Sequence, residues 1–208
     1  MVRRPAGIRV FVEGGGRGDS SLIECRRAFS LLFERAGLKG RMPQVIACGP
    51  RQRAFDMFEQ ACKDNHRDSL LLVDSECAVT HTSPWEHVRS RRGDGWSKPA
   101  GATDDDLHLM VECIEAWIVA DRQVLRAHYG QLLQENALPS RENIEEVPRA
   151  ELHGALERAT RQAGGYSKGK DSFALLGAVD PGALRTCPWA WRFFAELARR
   201  SPAAPARR

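Results

Sequence analysis

The sequence predicts an α/β protein with a central, mainly parallel sheet, and three observations carry that prediction. Three short runs are apolar through nearly all their length, namely Ile8-Arg9-Val10-Phe11-Val12, Val45-Ile46-Ala47-Cys48 and Ser69-Leu70-Leu71-Leu72-Val73. Segments of helical periodicity separate them, at residues 20–36 and 52–63. Strands buried on both faces read as continuous apolar runs, and the alternation with helices implies βαβ crossovers.

The first run ends abruptly at Glu13-Gly14-Gly15-Gly16, a strand entering a glycine turn. Asp19 or Ser20 can cap the following helix, whose apolar positions Leu22, Ile23, Phe29, Leu32 and Phe33 recur at helical spacing. The second helix carries Phe55, Phe58 and Cys62 on one face. Residues 77–106 read as a long loop, a length that in a compact domain usually signals function or mobility. Residues 107–111 suit a fourth strand, and residues 112–121 a helix continuing weakly to Tyr129. Residues 142–162 are expected to be mostly helical apart from Pro148, and residues 189–200 form a final amphipathic helix. The expected organisation is an α/β core over 6–125, a helical extension over 126–200 packed on it, and a disordered Pro- and Ala-rich tail over 201–208.

Composition is that of an ordinary globular protein, with 42% hydrophobic and 28% charged residues and a net charge of +4 from 31 basic and 27 acidic side chains. This balance admits a nucleic-acid partner without requiring one. The six cysteines, at 25, 48, 62, 77, 113 and 187, form no C-x-x-C pair and sit at no zinc-finger spacing with histidine, so reduced thiols are expected and structural zinc is not. No stretch reaches the roughly 20 apolar residues of a membrane span, and the apolar run after Met1 is too short for a signal peptide, which points to the cytoplasm.

The glycine turn, Gly14-Gly15-Gly16-Arg17-Gly18-Asp19-Ser20, has no lysine before its serine and no G-x-G-x-x-G spacing, so neither a P-loop nor a dinucleotide fingerprint is present. It can free backbone N–H groups for an anion or serve only as a turn. Charged residues just past the carboxyl ends of parallel strands line the crevice where α/β proteins bind ligands. Glu13, Asp74 and Glu76 occupy such places, and along an extended chain Asp74 and Glu76 point to one side. Three converging carboxylates suit Mg²⁺ or Mn²⁺, which take hard oxygen ligands and support phosphodiester cleavage. Helix capping or arginine pairing is the structural alternative for each acid.

Glu112 and Glu115, three apart on the expected helix, share a face; Glu115, among Met110, Ile114, Trp117 and Ile118, is the better additional ligand or base. A glutamate on a solvent face accounts for it equally well. Lys168 and Lys170 lie in a glycine turn where they can reach a phosphate. Arg89, Arg91, Arg92 and Lys98 interleave with Trp85 and Trp96, a pattern that combines charge neutralisation with stacking and also suits a surface loop. The histidines have no evident nucleophile partner, and the tryptophans suit core or interface anchors.

Val12-Glu13-Gly14 at one strand end and Asp74-Ser75-Glu76 at another resemble the E…D-x-D pattern of Toprim domains, found in topoisomerases, bacterial primases and OLD-family nucleases. The resemblance implies a three-layer fold and Mg²⁺-dependent phosphodiester chemistry, with Glu13 in acid/base or metal work and Asp74 as a metal ligand. Glu76 stands where the family usually has a second aspartate. Over most of the chain, Val12-Glu13-Gly14-Gly15, Leu72-Val73-Asp74-Ser75-Glu76, Cys113-Ile114-Glu115-Ala116-Trp117 and Tyr166-Ser167-Lys168-Gly169 are similar to an uncharacterised bacterial domain family often encoded beside SMC-like or RecF-like AAA ATPases. That resemblance implies an ATPase partner and a role in phage defence. The expectation is a metal-dependent nuclease acting on DNA or RNA, with Glu13, Asp74, Glu76 and Glu115 catalytic. The alternative is a catalytically silent Toprim-like partner of such an ATPase; self-association is left open.

Overall fold

Four apolar runs become the strands of one parallel sheet. The computed structural model describes residues 7–16 and 18–201, so most of the expected tail, 202–208, lies outside the described residues. Strands β1 (Arg9–Glu13), β2 (Gln44–Gly49), β3 (Ser69–Asp74) and β4 (Leu107–Met110) lie in the order β2-β1-β3-β4. Every pairing is parallel, with Val10 opposite Val45 and Leu70, and Leu72 opposite His108.

Helices cover both faces, giving three layers. Side chains alternate along a strand, so Val10, Val12, Leu70 and Leu72 enter one core while Phe11, Leu71 and Val73 enter the other. The second core is roofed by α2 (Arg51–Lys63), through Ala54, Phe55, Phe58 and Ala61, and by α3 (Pro84–Ser90). The first is covered by α1 (Asp19–Phe33), α4 (Ile114–Ala120), α5 (Arg122–Tyr129), α6 (Arg149–Thr160), α7 (Lys170–Leu176) and α8 (Pro188–Arg200).

Local chemistry explains the helix bounds. In α1 the buried residues Cys25, Ala28, Phe29, Leu32 and Phe33 repeat at three and four, and Gly37, at φ 82°, turns the chain away after it. In α8, Pro188 opens the helix and Ala190, Phe193, Phe194 and Leu197 form its buried stripe. Phe193 joins distant parts of the chain, with its ring 5.7 Å from Phe33 and 6.0 Å from Trp117. Such aromatic pairs add about 0.5–1.5 kcal/mol each beyond their burial.

Two segments depart from expectation. Residues 77–106 are not one loop, because α3 forms within them. Their tryptophans face inward: Trp96 stacks on Phe55 at 4.5 Å, and the Trp85 indole donates to Thr103 O at 2.8 Å. Neither ring is a platform for a base. The helix expected over 112–129 is two helices, since Asp121 leaves helical geometry and its carboxylate accepts the Gln123 and Val124 N–H groups that open α5. Glu112 precedes α4, so Glu112 and Glu115 share no helix face. Residues 142–162 are mostly helical apart from Pro148, as expected, with a 3-10 turn over Ile144–Glu146 before it and α6 after it. Among the described residues, no helix is long and apolar enough to cross a membrane.

Candidate metal centre

The order β2-β1-β3-β4 makes the chain leave β1 toward one edge and return to β3 on the other side, so the switch point falls between β1 and β3. Ligand crevices of open parallel sheets lie there, outside the carboxyl ends of the strands. Glu13 ends β1 and Asp74 ends β3. A bulge between Val12 and Glu13 sets Glu13 opposite Gly49, the last residue of β2.

Glu76 joins them by a route that differs from the expected extended chain. It sits at φ 67°, a left-handed conformation costly for a residue with a Cβ, by about 1–3 kcal/mol. Backbone bonds hold it there, as Ser75 N–H donates to Met110 O and Glu76 N–H to Glu112 O, both at 2.9 Å. As a result one oxygen from each of Glu13, Asp74 and Glu76 lies within 4.8 Å of the others. They line a cleft of about 410 Å³ together with residues 14–16, Ser21, Gly49, Arg149 and Lys168.

Each carboxylate spends one oxygen on the protein. Glu13 Oε2 accepts from Arg51 Nη1 and from the Asp74 N–H, both at 3.1 Å. Asp74 Oδ1 accepts the Ile114 N–H at 3.0 Å, and Glu76 Oε2 pairs with Arg149 Nη1. Among the described residues, no hydrogen bond reaches Glu13 Oε1, Asp74 Oδ2 or Glu76 Oε1. Three uncommitted oxygens in an all-oxygen donor set fit a hard divalent cation. Burial pushes the Asp74 carboxyl well above its ordinary value, and the charges of Glu13, Glu115 and Glu76 push it further. Burial likewise raises Glu13, against the pull of Arg51.

Arg51, which the sequence reading missed, organises one wall. Its side chain is 12% exposed and it grips Asp94 with two bonds, of 2.9 and 2.8 Å, while reaching Glu13 and the Asp74 carbonyl. It also lies 4.7 Å from the centre of the Trp96 ring. Arg149, also missed, begins α6, where its N–H donates to Glu112 Oε2 at 2.8 Å. Glu112 is therefore a helix cap.

The remaining expected residues are spread more widely. Glu115 groups not with the acidic trio but with Cys113 and His153. Burial drives its carboxyl up, yet the Lys168 charge and its hydrogen-bonding neighbours leave it below the ordinary value. Lys168 lines the cleft; Lys170 lines a separate groove beside Glu24 and Arg27. Arg89, Arg91, Arg92 and Lys98 are not among the cleft-lining residues. Arg91 pairs with Asp94 at 2.8 Å and Lys98 with Asp104 at 3.3 Å.

Residues 14–198 match the family described as "Domain of unknown function (DUF4276)". The chain belongs to this family. In this DUF4276 chain the matched region contains Asp74, Glu76, Arg149 and Lys168 and begins one residue after Glu13. No curated protein and no solved structure matches the chain.

Proposed function

We propose that this DUF4276 protein is a Toprim-like, Mg²⁺- or Mn²⁺-dependent hydrolase of nucleic-acid phosphodiesters. The observation that carries the reading is the convergence of Glu13, Asp74 and Glu76 at the switch point, lining one cleft, each with an oxygen that no hydrogen bond among the described residues reaches. Glu13, Asp74 and Glu76 would hold the cation. When bound it supplies positive charge to the phosphate and makes water more acidic.

The chain's own groups have complementary work. Arg51 and Arg149 fix Glu13 and Glu76 in place and offset part of their repulsion. The cleft's glycine turn lets a phosphate approach backbone, since Gly14, Gly15 and Gly16 all have positive φ and no side chain. Lys168 places a cation at the rim, where it can contact a phosphate as a point charge. The test is incubation with plasmid DNA, linear DNA and single-stranded RNA in Mg²⁺, Mn²⁺ or EDTA, beside Glu13→Gln and Asp74→Asn. Metal-dependent cleavage lost in both variants supports the proposal. Equal cleavage by the variants would end it.

One observation favours a second reading, a catalytically silent subunit of an SMC-like AAA ATPase. The protein already supplies guanidinium partners to two of its three carboxylates, which could hold the cleft without a cation. Absence of cleavage both alone and with a candidate SMC-like AAA ATPase, combined with a stable complex between them, would select this reading.

A further inference from the structure

Behind the acidic cleft lies a second cluster of different chemistry. Cys113 Sγ, a Glu115 carboxylate oxygen and His153 Nε2 all lie within 4.8 Å of one another. His153 Nε2 is 3.6 Å from Cys113 Sγ and 3.4 Å from Glu115 Oε2. The donors come from the turn before α4, its first turn, and α6, elements anchored independently by Asp74 and Glu112.

We propose that Cys113, Glu115 and His153 form a binding site for one borderline transition-metal ion of the Zn²⁺ class, distinct from the hard-cation cleft. The separations agree with a tetrahedral centre. Ligand lengths of about 2.3 Å to sulfur and 2.0–2.1 Å to nitrogen and oxygen place tetrahedral donors about 3.6 Å apart for S and N, and about 3.3–3.4 Å for N and O. The mixed thiolate, imidazole and carboxylate set belongs to Zn²⁺, Co²⁺ or Fe²⁺ rather than Mg²⁺.

An independent observation points to a missing partner. Glu115 is fully buried, and its Oε2 has no hydrogen-bond partner among the described residues. An unmatched buried carboxylate oxygen costs more than an ordinary unmade hydrogen bond. Its other oxygen, Oε1, accepts the Tyr166 hydroxyl at 3.0 Å, the outer-shell support that typically orients a metal-binding carboxylate. His153 is 35% exposed and gives the ion a way in, while Cys113 and Glu115 are sealed. Three protein ligands leave a fourth position for water or substrate, as at reactive zinc centres. Binding converts the Cys113 thiol to thiolate and releases its proton to solvent, without change of oxidation state. The spacing C-x-E followed by a histidine 38 residues later matches no common zinc signature, so the spacing alone raises no expectation of zinc.

The inference does not rest on the hydrolase reading, and its test needs no activity. The purified chain, stripped with chelator, is titrated with Co²⁺ and then Zn²⁺ while absorption is recorded. One equivalent of Co²⁺ should give tetrahedral visible bands and a near-ultraviolet thiolate charge-transfer band, both erased by Zn²⁺. Cys113→Ser should abolish the charge-transfer band, and His153→Gln should weaken binding by about 10–100-fold or more. Glu13→Gln with Asp74→Asn should leave the cobalt spectrum intact. Circular dichroism of each metal-free variant confirms that it folds. Absence of a charge-transfer band in the folded wild type, or a spectrum abolished by the cleft variants and kept by Cys113→Ser, overturns the proposal. The former outcome would leave Glu115 and His153 as a simple pair.

Discussion

Replacing Asp74 with Asn should separate stability from metal binding. Asp74 is 8% exposed, and one of its oxygens lies within 4.8 Å of an oxygen from each of Glu13 and Glu76. At an effective dielectric constant of about 20, two like charges at that limiting separation repel by about 3.5 kcal/mol. Two neighbours would therefore cost about 7 kcal/mol if nothing offset them. Arg149 and Arg51 cancel part of this, leaving a net strain of about 1–3 kcal/mol at neutral pH. Asparagine keeps the shape and the acceptor for the Ile114 N–H, so the cap survives while the charge goes. In urea unfolding at pH 8 with EDTA, the Asp74→Asn protein should be as stable as wild type, or more stable by about 1–3 kcal/mol. Mg²⁺ at about 100 times its Kd should then stabilise wild type by about 2.7 kcal/mol and the variant hardly at all. A variant less stable than wild type by more than about 1 kcal/mol in EDTA would refute the reasoning. It would mean that the Asp74 charge holds the fold together and is not held in wait for a cation.

Arg51→Met should lower stability by about 2–3 kcal/mol in urea unfolding, because it takes from buried Asp94 and Glu13 their shared partner while Asp94 keeps Arg91. Adding Asp94→Leu to it should recover part of the loss; a double variant weaker than the single would sink that account. Gly49→Ala should cost about 2–4 kcal/mol in thermal unfolding, since Gly49 has φ 76° and a Cβ there would collide with Gly16 O. Glu145 caps α8 by accepting the Trp189 and Ala190 N–H groups, and burial pushes its carboxyl from 4.5 up to about 7 despite those donors. A raised carboxyl contributes stability below the unfolded value that is lost as pH rises through the folded one, here about 3 kcal/mol between pH 4.5 and 7. Glu145→Gln should flatten that slope relative to wild type in urea midpoints taken across the interval, and an unchanged slope would count against it.

The sheet was legible because its signal is local. A strand buried on both faces must be apolar at each position, and runs such as Leu70-Leu71-Leu72-Val73 need no partner to be recognised. The acids at the carboxyl ends of β1 and β3 followed from the same reading. Arg51 obeys that rule too, standing two residues past the end of β2, but a lone arginine after a proline carries no metal-ligand signature. Arg149 and His153 were hidden for a different reason. They reach Glu76, Glu115 and Cys113 across 73, 38 and 40 residues, and only the packing of α6 brings them there. The misread segments were decided by competition between local and distant forces. Asp121 breaks a helix because its carboxylate also accepts the Asp180 N–H at 2.8 Å, and Trp85 and Trp96 turn inward because Phe55 and Thr103 offer contacts that no local pattern reveals.

The stack of Phe33, Trp117 and Phe193 has a consequence for the order in which the protein can fold during synthesis. Strand β1 is made before its neighbour β3, which ends at Asp74, and the rings that seal the core beside them arrive only with α8. Until then Phe33 and Trp117 have no Phe193 to close over them, and a nascent chain displays a greasy surface. Cooperative closure must wait for α8, and contacts between segments so distant in the chain are made late in folding. A chain stopped before Pro188 should bind the dye ANS and unfold without a cooperative transition, although every strand of its sheet and all three cleft carboxylates are present.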